Sequence, residues 1–320
     1  MKLLRKRCVL GICVSIFLVS LIWVLSLQGV NVNRGSEEKI IRFTPNDSMK
    51  TLQVKLQEMR EEISRNGDTF EVGINPAMQY PLEQLCNLNP DLKPDDSSLC
   101  EKNGQVMEAD SKIILLPATY LGYYSPVIDQ GSCSPWPFVT TGVFEGIILK
   151  KDGILVKLSD RYLIDCNIFG YTCTSGYFCH YMHMAPYGAY LASNYPFPLP
   201  GCISQDPPDY LLSGWGYVGN ASSVPTVTAI KQKIYSYGSV ACYVYADAYF
   251  QAYVTGCFSR NTVGTPNHMV ILVGWDDSQC TTGAWKLKNS WGTGWGQSGF
   301  MWIKYGVQQV GYAANYVIYP

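Results

Sequence analysis

The 320-residue chain carries no excess of charge of either sign: 24 Lys and Arg stand against 25 Asp and Glu. A field this weak gives nucleic acid no electrostatic footing, so no nucleic-acid partner is expected. Internal repeats and low-complexity tracts are also missing, which leaves a solenoid or a compositionally disordered chain without support. What the chain does have is 47% hydrophobic and 13% aromatic residues. That composition suits one sizeable core with smaller appendages.

Cysteine is not scarce. Twelve of them are ordinary for an exported protein and many for a reduced cytosolic one. The amino end agrees. Lys2, Arg5, Lys6 and Arg7 precede an uncharged apolar run from Cys8 to Leu27, long enough to cross a hydrocarbon core as a helix. Basic residues on the short side put the amino terminus in the cytoplasm and the bulk of the chain outside. Residues 1–28 therefore read as a basic tip and single-pass anchor, with membrane contact through residues 8–27. Val24-Leu25-Ser26 leaves a second reading open, secretion after signal cleavage.

Composition divides the rest. Residues 29–48 are polar and read as a linker. Asn46-Asp47-Ser48, like Asn220-Ala221-Ser222 downstream, would accept glycans in a eukaryotic secretory route. From Met49 to Arg65, Leu52, Val54, Leu56, Met59 and Ile63 recur at roughly helical spacing. Thr69–Asn75 is strand-like, and a Pro/Asp-rich passage follows at Pro90–Asp96. The main domain runs from residue 116 to 320. Phe138–Lys150 predicts a helix. Val240–Tyr245, Met269–Trp275, Trp285–Lys288 and Phe300–Tyr305 predict strands between Gly-rich turns. A helical first half before an antiparallel second half is an α+β pattern, with the functional groove between two lobes.

Thiol acyl transfer needs a thiolate, a histidine, a group to orient it and donors for the oxyanion. Gln130-Gly131-Ser132-Cys133-Ser134-Pro135-Trp136, Leu158–Cys166, Asn267-His268-Met269-Val270 and Lys288-Asn289-Ser290-Trp291-Gly292 occur in order. From about Leu116 to Pro320 these segments resemble the papain family of cysteine peptidases. The resemblance implies a two-lobe fold, a helical lobe beside an antiparallel β-barrel-like lobe, and a peptide or protein ligand in the groove. It implies no cofactor and no metal. Position by position it makes Gln130 the oxyanion-hole donor, His268 the catalytic base, Asn289 its orienting amide and Trp291 the indole shielding that pair. It also pairs Cys133 with Cys173 and Cys166 with Cys202.

The centre departs from the family. The nucleophilic cysteine should directly precede the tryptophan, yet Pro135 precedes Trp136, and a proline ring has no proton to give. Losing a nucleophile costs on the order of a millionfold in turnover. Pro135 suits a helix start, with Ser134 before it as an N-cap. These residues predict a peptidase homologue with a disabled nucleophile. Two rescues stay open, Ser134 shifted into the slot or Cys133 released from its bridge, either one acting with His268. The groove-lining run reads Cys173-Thr174-Ser175-Gly176: Gly176 keeps the closest glycine, while Ser175 adds a side chain. Upstream, residues 49–115 resemble a weakened inhibitory propeptide of the same family, and that resemblance implies a segment crossing the groove.

The other cysteines admit several readings. Cys86 with Cys100, and Cys257 with Cys280, could close further loops, while Cys242 reads as a buried strand thiol. Cys173, Cys179, His180 and His183 cluster in sequence, but oxidising surroundings make free zinc-ligating thiols scarce, so metal is not expected.

Overall fold

The computed structural model describes residues 40–88, 115–167, 169–176, 184, 188–195, 201–202, 207–262 and 264–320. The apolar run at residues 8–27, Cys100, Cys179, His180 and His183 lie outside them. Among the described residues no helix is long and apolar enough to cross a membrane.

Helix α1 (Met49–Asn66) opens the described chain. Ser48 caps it by accepting from the Thr51 N–H at 3.1 Å, and Gly67 ends it in the left-handed region at φ 71°. Its apolar stripe, Leu56, Met59 and Ile63, is buried. Strand β1 shrinks to Glu71–Val72 and pairs with β5 (Tyr253–Thr255). A 3₁₀ turn (Pro76–Gln79) and the short helix α2 (Leu82–Cys86) follow. Phe43, inside the expected linker, is buried in the same core as α1.

In the main domain, α3 (Trp136–Asp152) and α4 (Asp160–Cys166) build the helical side. Helix α5 (Val227–Tyr237) and the short α6 (Ala248–Ala252) interrupt the carboxy-terminal half, where the sequence had offered only strands. One eight-stranded sheet runs in the order β3 (Gly214–Tyr217), β10 (Tyr312–Ile318), β4 (Val240–Val244), β7 (His268–Asp276), β8 (Ala284–Lys288), β9 (Phe300–Lys304) and β6 (Cys257–Phe258). β2 (Thr119–Leu121) joins on β7. All pairs are antiparallel except β6 with β9.

The sheet separates two cores. In β4 and β7, Val240, Cys242, Val244, Val270 and Leu272 face one cluster, the β-side core, which also holds α1, α2 and the indoles Trp285, Trp291 and Trp295. Ala241, Tyr243, Met269, Ile271 and Val273 face the other, built on Trp136, Val143, Phe144 and Ile147 of α3. Side chains alternate across a strand, so a strand covered on both sides needs an unbroken apolar run. Met269–Val273 is such a run.

Disulfides Cys133–Cys173, Cys166–Cys202 and Cys257–Cys280 are formed. Cys242 is a buried strand thiol, as its apolar surroundings predicted. Cys86, offered as one half of a further loop, is free and buried among the described residues, in α2 against the β-side core, and its offered partner Cys100 lies outside them.

Candidate active site

His268 is the first residue of β7 and sits opposite Val244 of β4. Its parity is that of Val270 and Leu272, so the ring enters the β-side core and is fully buried. β8 ends at Lys288, which pairs with Ile271, and this register carries the next residue, Asn289, back beside the ring. The Asn289 Oδ1 accepts from the Ser290 N–H at 2.8 Å, which fixes the amide's orientation. His268 Nε2 lies 2.8 Å from that same oxygen and therefore carries the proton. Nδ1 is left as a bare lone pair with no partner among the described residues.

The surroundings keep this imidazole neutral. Trp291 lies over it with ring centroids 4.7 Å apart, and Phe250 meets it edge-on at 6.2 Å. Burial pushes the pKa down to about 4, with the Asn289 bond working the other way.

Gln130 lies on the loop before α3, held there by the bridge between Asp129 and Trp291. Its N–H donates to the Ser290 carbonyl at 2.8 Å, and its Oε1 accepts from the Ser290 hydroxyl at 2.6 Å. Nε2 is thereby aimed, and donates to the Cys133 carbonyl at 2.5 Å and the Leu85 carbonyl at 2.8 Å. Ser290 thus ties Gln130 and Asn289 together through three polar groups. Its role has no signal in the sequence beyond its place between Asn289 and Trp291.

At the head of α3 the expected cap is not made. Pro135 has helical backbone angles (φ −68°, ψ −18°) and itself holds the N-cap position, without a side-chain cap bond. Ser134 is fully buried; its N–H donates to the Cys173 carbonyl at 2.6 Å, and its Oγ donates to the Asn87 carbonyl at 3.2 Å. The hydroxyl therefore points to another segment of chain and not to the first turn of α3. The Cys133 sulfur is held in its disulfide.

Trp136 is fully buried and donates from Nε1 to the Thr172 carbonyl at 2.9 Å. Gly176 packs on this indole, and a Cβ there would fall 2.0 Å from the ring. Gly176 therefore has an intramolecular reason to be glycine. Ser175 is half-buried, and its carbonyl accepts from the Thr172 N–H at 3.0 Å.

Residues 41–88 close over this region. Arg60 Nη2 donates to the Val72 carbonyl at 3.0 Å. Glu62 pairs with Arg260 at 2.6 Å and accepts from the Tyr249 hydroxyl at 2.7 Å; Arg260 also reaches Asp247 at 3.2 Å. Gln251 Nε2 donates to the Ala77 and Tyr80 carbonyls at 2.9 and 3.0 Å. Leu85 and Asn87 then deliver their carbonyls to Gln130 and Ser134.

An α+β domain split by one sheet, with a buried imidazole–amide pair beside a glutamine donor at the head of the central helix, has the architecture of a thiol peptidase. Residues 119–320 match the papain family cysteine protease profile, and the chain belongs to that family. It is 31% identical over 209 residues to the gamete and mating-type specific protein A of Dictyostelium discoideum, covering 59% of this chain and 42% of that protein. It is 31% identical to mouse (Mus musculus) cathepsin K over 198 residues, 56% of each chain. A putative cathepsin L 3 of Paramecium tetraurelia is 26% identical over 82% of this chain and 80% of its own. The chain thus spans about half the length of the first two relatives. Among solved structures, digestive procathepsin L 3 of the Tenebrio molitor larval midgut aligns with a TM-score of 0.68 at 27% identity, covering 84% of this chain and 89% of that one. Digestive procathepsin L2 from the same tissue aligns at 0.72 and 25%, covering 84% and 91%.

Proposed function

We propose that this chain is a membrane-anchored papain-family homologue whose groove binds peptide without cutting it, Pro135 standing where the family has its nucleophile. The observation that carries the reading is the state of the three candidate residues at the head of α3. Cys133 is in a disulfide, the Ser134 hydroxyl is turned to the Asn87 carbonyl, and Pro135 has no group to donate. A neutral, buried His268 fits this reading, because a working thiol site keeps its histidine charged beside a thiolate. His268, Asn289 and Gln130 hold the family's base, orienting and oxyanion positions. Residues 49–88 act as a propeptide-like cover; alignment of 84% of the chain with two proforms supports that part.

The test is covalent labelling. The full-length protein is treated separately with a thiol-alkylating active-site reagent and a peptide aldehyde, then mapped by mass spectrometry. No adduct is expected at Cys133 or Ser134. An adduct at either residue, lost in His268→Ala, would establish an active enzyme and overturn the reading. The anchor at residues 8–27 predicts that the protein stays in the membrane pellet after alkaline carbonate washing. Its appearance in the wash would favour secretion after cleavage.

A further inference from the structure

We propose that the face at the tail of α3, away from the groove, rests on the lipid surface into which the anchor inserts, so that the groove opens away from the bilayer. The inference goes beyond the peptide-binding reading above and rests on its anchor, residues 8–27.

The face is built around the last turn of α3. Gly153 ends that helix in the left-handed region at φ 70°, and Val156 is buried three residues on. Between these two fixed points Ile154 and Leu155 stand 55% and 56% exposed. Lys150 and Lys151 lie in the turn before them. Lys150 donates to the Tyr235 carbonyl at 2.7 Å, and its Nζ lies 5.3 Å from the Tyr123 ring centre and 5.9 Å from that of Tyr235. The Tyr120 ring is 5.0 Å from the Tyr235 ring, and its chain neighbour Leu121 is exposed, as are Tyr123 and Tyr235. Asp152, in the same turn, accepts from the Tyr319 hydroxyl at 2.8 Å.

Phenol rings and lysines beside exposed aliphatic chains are the mixture that settles at a membrane–water boundary. The rings and ammonium groups sit at the level of the headgroup phosphates, with the aliphatic chains just beneath. Residues 28–39 join the anchor to the body, and twelve extended residues reach about 40 Å. The chain enters the body beside α2, where Arg42 pairs with Glu83 at 3.4 Å, and α2 lies at the groove, its Leu85 carbonyl on Gln130. From the head of α3 to its tail is about 25 Å, the length of a 17-residue helix. The tether therefore outreaches the helix. It also turns docking of the tail face into an intramolecular event, so a face that would hold lipid only weakly by itself stays down.

The test uses the full-length protein reconstituted in phosphatidylcholine vesicles. Leu155→Cys on the tail face and Ile74→Cys on the cover over the groove place thiols at two exposed positions. A charged, membrane-impermeant maleimide is added outside. Peptide mapping reads the rate at each introduced thiol, normalised to the same protein in urea, while buried Cys242 reports general unfolding. Leu155→Cys should react about tenfold slower than Ile74→Cys, a modest effect for aliphatic chains leaving water. Adding Leu121→Glu and Ile154→Glu to Leu155→Cys should restore the rate, with Cys242 unlabelled. Equal rates in the two single variants, slower labelling of Ile74→Cys, or no recovery in the triple variant would each overturn the proposal. So would protection of Leu155→Cys that grows with the number of protein copies per vesicle, which would put a second copy on this face. Protein that fails to float with the vesicles would sink the anchor reading itself, so failure of the proposal alone is recognised in protein that floats.

Discussion

At the scale of single residues, the buried imidazole has a measurable pH consequence. His268 titrates near 4 in the fold and near 6.5 in the unfolded chain. Between those values the unfolded state holds a proton that the native state lacks, so stability rises with pH across that window and is lost as pH falls through it. The loss amounts to roughly 2–3 kcal/mol by pH 4. Thermal melts from pH 4 to 7 should show this slope, and His268→Gln should flatten it. Gly176 gives a second expectation. Gly176→Ala drives a methyl into Trp136, at a cost of about 1–3 kcal/mol, and should shift tryptophan fluorescence in the same sample. His268, Asn289 and Gln130 were legible in the sequence because each lies in a short, distinctive motif. Ser290 and Phe250 were not, because a serine's three bonds and a ring's edge contact exist only once distant loops meet.

At the scale of elements, the apolar runs translated into strands within about a residue at most ends. Val240–Tyr245 became β4, and Met269–Trp275 sits inside β7. Periodicity served α1 equally well, since one of its faces remains wet. It failed for the Thr69–Asn75 strand, which keeps only two paired residues, because its partner β5 is itself only three residues long. It also missed α5, whose β-branched and aromatic content resembles a strand, although Thr226 caps it and Gly238 ends it. The serine before α3 looked like a cap by residue type alone, and a tertiary partner, the Asn87 carbonyl, claimed its hydroxyl. The docking of α1 yields a prediction at this scale. Arg260→Leu leaves Glu62 and Asp247 without their shared cation and should weaken docking by about 1–3 kcal/mol. Trypsin should then cut first at Lys50, Lys55, Arg60 or Arg65, before any site in the sheet.

At the scale of the whole molecule, the α+β class was legible, but its partition was not. The sequence suggested a helical half followed by a strand half. In the structure β2 crosses from the first half to pair with β7, and two helices return in the second. Residues 41–88 are equally part of the body: Phe43, Met59, Phe70 and Met78 share a core with Trp291 and Trp295. No local pattern announces such sharing, because burial is decided by what lies across the chain. The sheet that divides the two cores also joins them, since neighbouring residues of β4 and β7 are bricks in opposite rooms of one partition wall. Neither side can melt while that wall stands, and the wall cannot stand with one side gone. Calorimetry should therefore record a single endotherm, with equal van't Hoff and calorimetric enthalpies, and two separated peaks would show that the chambers fail independently.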